Sequence, residues 1–528
     1  MSTPSENPYD KIPYETKPFP KTHPNNLAAL ARLFGMMPPS LGECRVLELG
    51  CASGGNLLPM ATQLPHASFV GLDLSGRQIA DGQAIIAELG LANVELRQAD
   101  IAEVSEGLGK FDYIIAHGVF SWIPNDVQEK LLEICSRNLA ENGVAFISYN
   151  TYPGWRMRGM IRDAMVYHAR QFAEVSQQVK QARALLDFLA QNVPSEGSPY
   201  GMLLKQELEE LRKQGDWYLA HEHLEGVNEP IYFHQFIERA SAHRLQYLAD
   251  ADFMMMPASN FPPNVAETLR LIAPDMIRIE QYMDFLRNRA FRQTLLVHAN
   301  VRLNRNLDYR SVAGLYVEAQ IRPLETGTDL HSSQLEKFQV PNGATLSTPN
   351  PITKAGMTLL GRAWPKGMYF EDLCRAARAH LEGVVPLSAA AAPPAADVQI
   401  LGSDVLQSFA AGLVDLRVIP GPFVAEPGQY PRANALARLQ ARRGSMVASM
   451  RHEPLMLDEF NRQLVQRLDG EQDRNALIDA MERLVKARSL AVQQDGKPIV
   501  EPATVREMLT TAVGHNLVQL GRVGLLEQ

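Results

Sequence analysis

Residues 45 to 61 read RVLELGCASGGNLLPMA: a short apolar run, a turn of small residues, then a helical pattern. A turn of small residues at that place lets the backbone approach a ligand closely, and the helix that follows offers unpaired N–H groups at its start. A dinucleotide enzyme would read GxGxxG here, with a pyrophosphate at the helix start. Position 52 is Ala, which breaks that fingerprint. A methyl group at 52 is tolerated if the backbone there keeps a negative φ.

Working outward, SFVGLDL (68–74), VELRQAD (94–100), FDYIIAHG (111–118) and GVAFISYN (143–150) are further runs rich in Val, Ile and Phe, separated by helical stretches. That alternation predicts a parallel α/β sheet. Ser75 is a candidate N-cap, and a helix is expected after Asn125 and Asp126. Three acids stand in or at the ends of successive strands: Glu48, Asp73 and Asp100. In a doubly wound sheet such strand ends converge on one crevice. Asp73, beside Leu74, can accept from both hydroxyls of a ribose, and Asp100 with Ile101 is placed for an adenine edge. Glu48 suits the ordering of the glycine turn or a cationic amino-acid end. Each acid could instead merely cap a helix, but three at successive strand ends favour a ligand with a sulfonium and an ammonium over one with a pyrophosphate.

With 528 residues, 46% of them hydrophobic, the chain can bury more than one core, since single cores stop growing at roughly 250 to 300 residues. A formal charge of −8 spread along the chain gives no field for a polyanion, so nucleic acid is not the expected partner. Cys44, Cys51, Cys135 and Cys374 show no CxxC or metal-ligand spacing, which points to a reducing compartment, the cytoplasm, and to no metal. No 18-residue apolar run or signal-peptide pattern occurs, so no membrane association is expected.

Further along, Gly159 to about Val193 shows an amphipathic helical pattern through Ile161, Met165, His168, Phe172 and Val175, predicting a helical insertion. A helix over 231–243 and two strands, LQYLADADF and FRQTLLVHA, would bring the sheet to seven strands. HEHLE (221–225) is not HExxH and predicts a solvated helix start. Beyond residue 300, TLSTPNP, helices over 352–363 and 369–381, an Ala/Pro stretch over 386–396, a helix near 404–412 and LVDLRVI suggest a small winged-helix-like unit. A similar plan recurs from Pro454 to Lys486, although aligning the two copies needs a gap. Arg438, Arg442, Arg443 and Arg451 form a local basic cluster with no interleaved aromatics, unlike a nucleic-acid surface.

The blocks PYDKIPYETKPFPKTHP, VLELGCASGGN, FVGLDLSGRQI, FDYIIAHGVFSWIP, SYNTYPGWRMRGMIRD, VNEPIYFHQFIERA and QYMDFLRNRAFRQTLL occur in this order. In them the chain resembles the seven-stranded, Rossmann-like class I methyltransferases that carry a methyltransferase regulatory domain, a group that includes bacterial outer-membrane-protein lysine methyltransferases. The resemblance implies an S-adenosyl-L-methionine cleft lined by Gly50, Cys51, Ala52, Ser53, Gly54 and Asn56, with Asp73 on the ribose, Asp100 near adenine, and His117 and Gly118 near the methionine part. It also implies a dimerisation region and distal domains around an open cavity. The expected organisation is an N-terminal lid (1–40) carrying Tyr9, Tyr14, Phe19 and His23, and a core over 41–155 and 226–300. A dimerising insertion (156–225) and winged-helix-like units over 301–430 and 431–528 complete it.

Methyl transfer mainly requires a neutral nucleophile held in line with the methyl group. His117, Tyr149 and Tyr152 stand where they could face an acceptor, and each is as compatible with packing. NTYP (150–153) resembles the NPPY tetrapeptide of amino-group methyltransferases but follows the fifth strand where that motif follows the fourth. The expected activity is methylation of lysine side chains of a protein by a homodimer. A small-molecule methyltransferase or a non-catalytic cofactor-binding regulator is the alternative. Residues 301–528 are expected to select substrate and to stay outside the cofactor cleft, because every cofactor-facing residue named precedes residue 120.

Overall fold

The structure, a computed structural model, describes residues 13–325, 329–383, 393–491 and 501–527, with Asp10, Gly327 and the strand pairs 493–494 and 497–498. Tyr9 and most of the Ala/Pro stretch lie outside the described residues. Seven strands form one sheet: β1 (Arg45–Leu49), β2 (Ser68–Asp73), β3 (Val94–Gln98), β4 (Phe111–Ala116), β5 (Leu139–Asn150), β6 (Leu245–Asp250) and β7 (Phe291–His298), in the order β3-β2-β1-β4-β5-β7-β6. The first five run parallel. The strand rhythm over residues 45–150 predicted this parallel part, and β7, antiparallel to both its neighbours, makes the whole sheet mixed. The chain order reverses between β1 and β4, and a doubly wound sheet opens its ligand crevice at the carboxyl ends of the strands at such a point.

Both faces of the sheet are buried, which is why its strands read as nearly continuous apolar runs. Val46, Phe69, Tyr113, Ile115 and Phe146 face one core, and Leu47, Leu49, Ile114, Ala145 and Ile147 face the other. The first core continues into the helix Pro24–Leu33 and on to Val317, Phe338, Leu360, Leu373 and Leu401. Eight of that helix's ten residues are buried, as expected of a helix wedged between two packed bodies. Asn25 acts there like a strand residue, its Nδ2 donating to Ile419 O at 2.9 Å and its Oδ1 accepting from Val418 N at 2.7 Å. The unit after residue 300 is therefore fused to the sheet's core.

The insertion and the C-terminal unit have cores of their own. The insertion holds helices Gly154–Ala169, Val175–Asn192 and Pro199–Arg212. The expected single helical run breaks over residues 170–174, so Phe172 lies in the turn and Val175 opens the next helix. In the distal half the helix placed near 404–412 begins earlier, at Ala395, and spans Ala395–Ala410. Three arginines of the basic cluster are paired within the chain: Arg442 and Arg443 with Glu88 at 3.1 and 2.6 Å, and the buried Arg451 with Glu318 at 3.0 Å. Among the described residues no helix is long and apolar enough to cross a membrane.

The last two strands are tied to the helix Met276–Arg287 by buried charges. Arg292, fully enclosed, makes a two-pronged contact with Asp284 at 2.7 and 2.8 Å and reaches Glu280 at 3.0 Å, while Arg289 binds Asp250 at 2.7 Å. Removing one partner of a buried pair leaves the other charge uncompensated, typically at a cost of about 3 to 5 kcal/mol. Arg292→Ala should therefore lower the unfolding free energy by about that amount in chemical denaturation. A loss below about 1 kcal/mol would show the network to be dispensable.

Candidate functional site

A cavity of about 430 Å³ opens at the carboxyl ends of β1, β2 and β4, within the usual range for a ligand pocket of roughly 300 to 1,000 Å³. Glu48, Gly50, Cys51, Ala52, Asn56, Asp73, Leu74, Asp100, Ile101, His117 and Gly118 all line it. Ser53 and Gly54, expected with them, do not. The Ser53 hydroxyl lies 2.8 Å from that of Thr16, and Gly54 supports the turn at φ 78°, where a Cβ would press on Leu96 and Leu58 at 3.1 and 3.2 Å.

The glycine turn is folded over the end of β2. Gly50 N and Cys51 N both donate to Leu72 O, at 2.8 and 3.1 Å, and Ala52 N donates to Asp73 Oδ2 at 2.8 Å. The other Asp73 oxygen accepts from Ser75 N at 2.8 Å, and Ser75 in turn caps the helix Gly76–Leu89. To aim its N–H at Asp73, Ala52 adopts φ 48°, so the condition of a negative φ is not met. The left-handed region costs a non-glycine residue roughly 1 to 2 kcal/mol, offset here by a charge-assisted hydrogen bond. At Gly50, φ is 76° and a Cβ would stand 2.4 Å from Val119, so only glycine fits. With these donors taken by the protein, the turn presents little to an anion.

The acids are placed unequally. Asp100 caps the short 3-10 turn Ile101–Glu103 through Ala102 N at 2.8 Å, leaving its second oxygen at the cavity. Glu48 is buried; its Oε1 accepts from Asn56 Nδ2 at 2.7 Å, and its Oε2 has no partner among the described residues. Burial, with the nearby Asp73 charge adding to it against the Asn56 hydrogen bond, pushes the Glu48 carboxyl up to about 8. Burial likewise raises Asp73, against the hydrogen bonds from Ser75 and Ala52.

His117 sits with its ring 3.9 Å from that of Phe19, and its Nδ1 is 3.0 Å from Ser148 Oγ. That hydroxyl also accepts from Gly118 N at 2.8 Å, and Nδ1 meets either its proton or its second lone pair according to the ring's tautomer. Burial holds the imidazole down at about 4. Tyr149 and Tyr152, the other expected catalytic side chains, are not on the cavity. Tyr149 is buried between Phe120 and Phe236, with its hydroxyl 2.9 Å from that of Thr294. Tyr152 packs on Tyr232 at 5.2 Å and beneath Arg156. Tyr149, within β5, belongs to a packed face of the sheet, and Tyr152 lies in the turn that follows.

Tyr14 and Phe19 of the expected N-terminal lid line the cavity together with Thr16 and Lys17, and Gln78 Nε2 donates to Tyr14 O at 3.0 Å. Other walls were outside the sequence reading. Trp122, Ile123, Pro124 and Val127 form another side. The HEHLE segment, expected to be solvated, is buried at His221 and His223, and it brings His221 and Glu222 to the cavity from the insertion. Burial pushes Glu222 up to about 7, with Arg158 opposing. Its neighbours Trp217 and Tyr218, an aromatic pair just before it, are the signal that marks this stretch as packed. No residue after 300 lines the cavity, but the distal half reaches the back of its wall, where His452 Nε2 lies 2.8 Å from Asn56 Oδ1. Among the described residues no cluster of three metal-ligating side chains occurs.

Residues 41–215 match a family described as a methyltransferase domain, 215–298 a predicted methyltransferase regulatory domain, and 429–525 the C-terminal winged helix domain of PKMT. The chain is 36% identical over 520 residues to uncharacterized protein RP789 of Rickettsia prowazekii, covering 95% of this chain and 90% of that one. It is 40% identical over 232 residues to RP028 of the same organism, covering 44% of this chain and 93% of that one. The structure of PKMT2 from Rickettsia typhi in complex with AdoHcy matches with a TM-score of 0.86 at 30% identity, over 98% of this chain and 100% of that chain. The chain belongs to this family. It is a class I S-adenosylmethionine-dependent methyltransferase with a C-terminal winged helix domain, and S-adenosylmethionine is its cofactor. The matched regulatory stretch supplies β6 and β7, so it completes the sheet.

The donor set suits that cofactor. Glu48 Oε2, unpartnered among the described residues, can accept from an ammonium once the carboxyl gives up its proton, Asp73 keeps lone pairs for two hydroxyls, and Lys17 can face a carboxylate. Because the folded chain holds the Glu48 proton to about pH 8, against 4.5 ordinarily, the neutral carboxyl's stabilising contribution is complete below about 4.5 and is lost as pH rises to about 8. One such group gives a slope of about −1.4 kcal/mol per pH unit within that window. Glu222 acts in the same direction up to about 7. Denaturation of the cofactor-free protein at several pH values between about 5 and 7.5 should show Glu48→Gln with a slope less negative by about 1.4 kcal/mol per unit. Identical slopes would show that Glu48 is ionised in the fold.

Proposed function

We propose that this methyltransferase transfers methyl groups to lysine side chains of a protein. The observation that carries this reading is the end-to-end similarity to Rickettsia typhi PKMT2, which includes the distal units as well as the catalytic sheet; the abbreviation denotes a protein lysine methyltransferase. A small acceptor would need no docking surface of that size. In this reading Asp73 accepts from the ribose hydroxyls, Asp100 and Ile101 face the adenine, and Glu48 and Lys17 hold the charged amino-acid end. His117 and Phe19 wall the reacting end.

Bound S-adenosylmethionine supplies an activated methyl group on a sulfonium, which leaves as a neutral thioether. The protein's task is to exclude water and hold a neutral amine in line. A free lysine, with a pKa of about 10.4, must first lose its proton. His117, neutral and with Nδ1 taken by Ser148, orders the wall through its ring. Glu222, with a proton affinity near neutrality, is the cavity group matched to accept a proton at working pH.

Replacing Asp73 by Ala removes the ribose acceptor. Hydrogen bonds involving a charged group contribute about 1.5 to 3 kcal/mol, so affinity for S-adenosylhomocysteine should fall roughly ten- to hundredfold by calorimetry. Unchanged affinity would remove Asp73 from the site. The substrate class is tested by incubating the protein with methyl-labelled cofactor and a lysate of its own host. Label on lysines of a polypeptide supports the reading, and label confined to small molecules overturns it.

The insertion carries exposed Met157, Met160, Tyr167, Phe188, Tyr200 and Met202, an apolar surface larger than a solitary helical arm leaves open. We assign it as the contact of a homodimer. Light scattering at micromolar concentration should give twice the chain's mass, and deleting residues 156–225 should abolish the dimer; a monomeric full-length chain overturns the assignment.

A further inference from the structure

The side-chain amide of Asn56 lies at the centre of the cofactor cavity's wall and is buried. Phe19 N, which can only donate, is 3.0 Å from one end of it and so identifies that end as the oxygen. The amide nitrogen therefore faces Glu48, at 2.7 Å. His452 Nε2 lies 2.8 Å from the same oxygen, and since an amide oxygen can only accept, that ring carries its proton on Nε2. Burial, reinforced by His23 and Arg417, holds the His452 ring neutral, consistent with one proton placed on Nε2.

His452 is held in place from several sides. It lies in the tip between the strands Met446–Ala448 and Pro454–Met456 of the C-terminal unit. The tip closes on itself, with His452 N donating to Ser449 O at 3.0 Å and Glu453 N to Ser449 Oγ at 3.2 Å. The residue before it, Arg451, is anchored in the middle unit by Glu318 and lies 4.1 Å over the Trp364 ring. His452 itself adopts φ 62° and packs against the His23 ring at 5.1 Å. A non-glycine residue in that backbone region is costly unless its surroundings impose it. The histidine is thus turned onto Asn56, behind the cavity wall, by a rigid tip.

We infer that His452 is a positioning residue for the cofactor: by donating to Asn56 it fixes the amide that holds Glu48, so cofactor affinity depends on a residue 396 positions further along the chain. Without that donor the Asn56 amide retains Phe19 N and a share of the Thr22 hydroxyl, which is 3.1 Å away but nearer to Phe19 O at 2.8 Å. Asn56 can then rotate, and Glu48 loses the group that fixes its free oxygen toward the cavity. This inference rests on the reading that Asn56 and Glu48 face the cofactor.

The test is calorimetric titration of the full-length protein with S-adenosylhomocysteine, using His452→Leu, His452→Gln, Asn56→Ala and the double variant His452→Leu/Asn56→Ala. Loss of one buried neutral hydrogen bond predicts about three- to tenfold weaker binding for His452→Leu. His452→Gln, whose amide reaches as far as Nε2, should restore most of the affinity. His452→Leu should add nothing in the Asn56→Ala background, because its effect passes through that amide. In turnover the loss should appear in KM for the cofactor, with kcat kept.

Parental affinity in His452→Leu, or a full additional loss in the double variant, overturns the inference while leaving the site reading intact. Parental affinity in Asn56→Ala overturns the site reading and the inference with it. Thermal unfolding checks each variant. Should His452→Leu not fold, His452→Asn, whose shorter amide cannot reach Asn56, is compared with His452→Gln on the same terms, and equal affinity in that pair overturns the inference.

Discussion

The carboxylate of Asp73 receives a backbone N–H on each oxygen, one from the turn that ends β1 and one from the cap that starts the helix after β2. Everything around the cofactor follows from this double contact. It draws Ala52 into a left-handed conformation, folds the turn's donors back onto the protein, and leaves a crevice lined by acceptors. A site of that polarity repels a pyrophosphate and suits a ligand that brings cationic groups and hydroxyls. The broken dinucleotide fingerprint and the three acids are therefore one feature: the turn is built to donate inward, and the strand-end acids to accept outward.

Much of this was legible in the sequence because it is local. β1 to β7 each announce themselves as short apolar runs, and Gly50, Asn56, Asp73 and Asp100 lie within or just beyond the strand ends that convergence at a switch point singles out. The misreadings share a cause. The condition set for Ala52, a negative φ, is not met because the pull of Asp73, 21 residues away, is invisible in a local pattern. Tyr149 lies within the right strand but on a face it packs, and Tyr152, in the turn after it, packs against Tyr232. The segment from His221 to Leu224 has the composition of a solvated turn, and only its partners, such as Glu207 at 3.4 Å from His223, explain its burial. For His452 no spacing rule exists, since nothing in the polar stretch MRHEP advertises a partner in the first strand-turn-helix unit.

The cores divide the molecule differently from the units read along the chain. The stretch after residue 300 shares a continuous core with one sheet face and with the helix Pro24–Leu33, whereas the insertion and the winged helix domain pack around centres of their own. A body with its own core can move or be exchanged at modest cost, and one sharing a core cannot. Variation in acceptor preference is thus easier to accommodate in the insertion and the C-terminal domain than in the middle unit, which is bound to the sheet as tightly as the sheet's own helices.

The wedged N-terminal helix bears on how the chain is made. Asn25 satisfies its amide on residues 393 and 394 positions away, and the apolar faces beside it are buried largely by residues that follow 300. A ribosome adding about 5 to 20 residues per second needs roughly 20 to 80 seconds to reach them. During that interval a helix with almost no polar face is exposed beside a sheet that has one of its two cores uncovered. The helix's amide and the core beside it are therefore completed only after the residues near 419 have been made, whereas the wall from Tyr14 to Phe19 rests on Ser53, Asn56 and Gln78, all of which are made early.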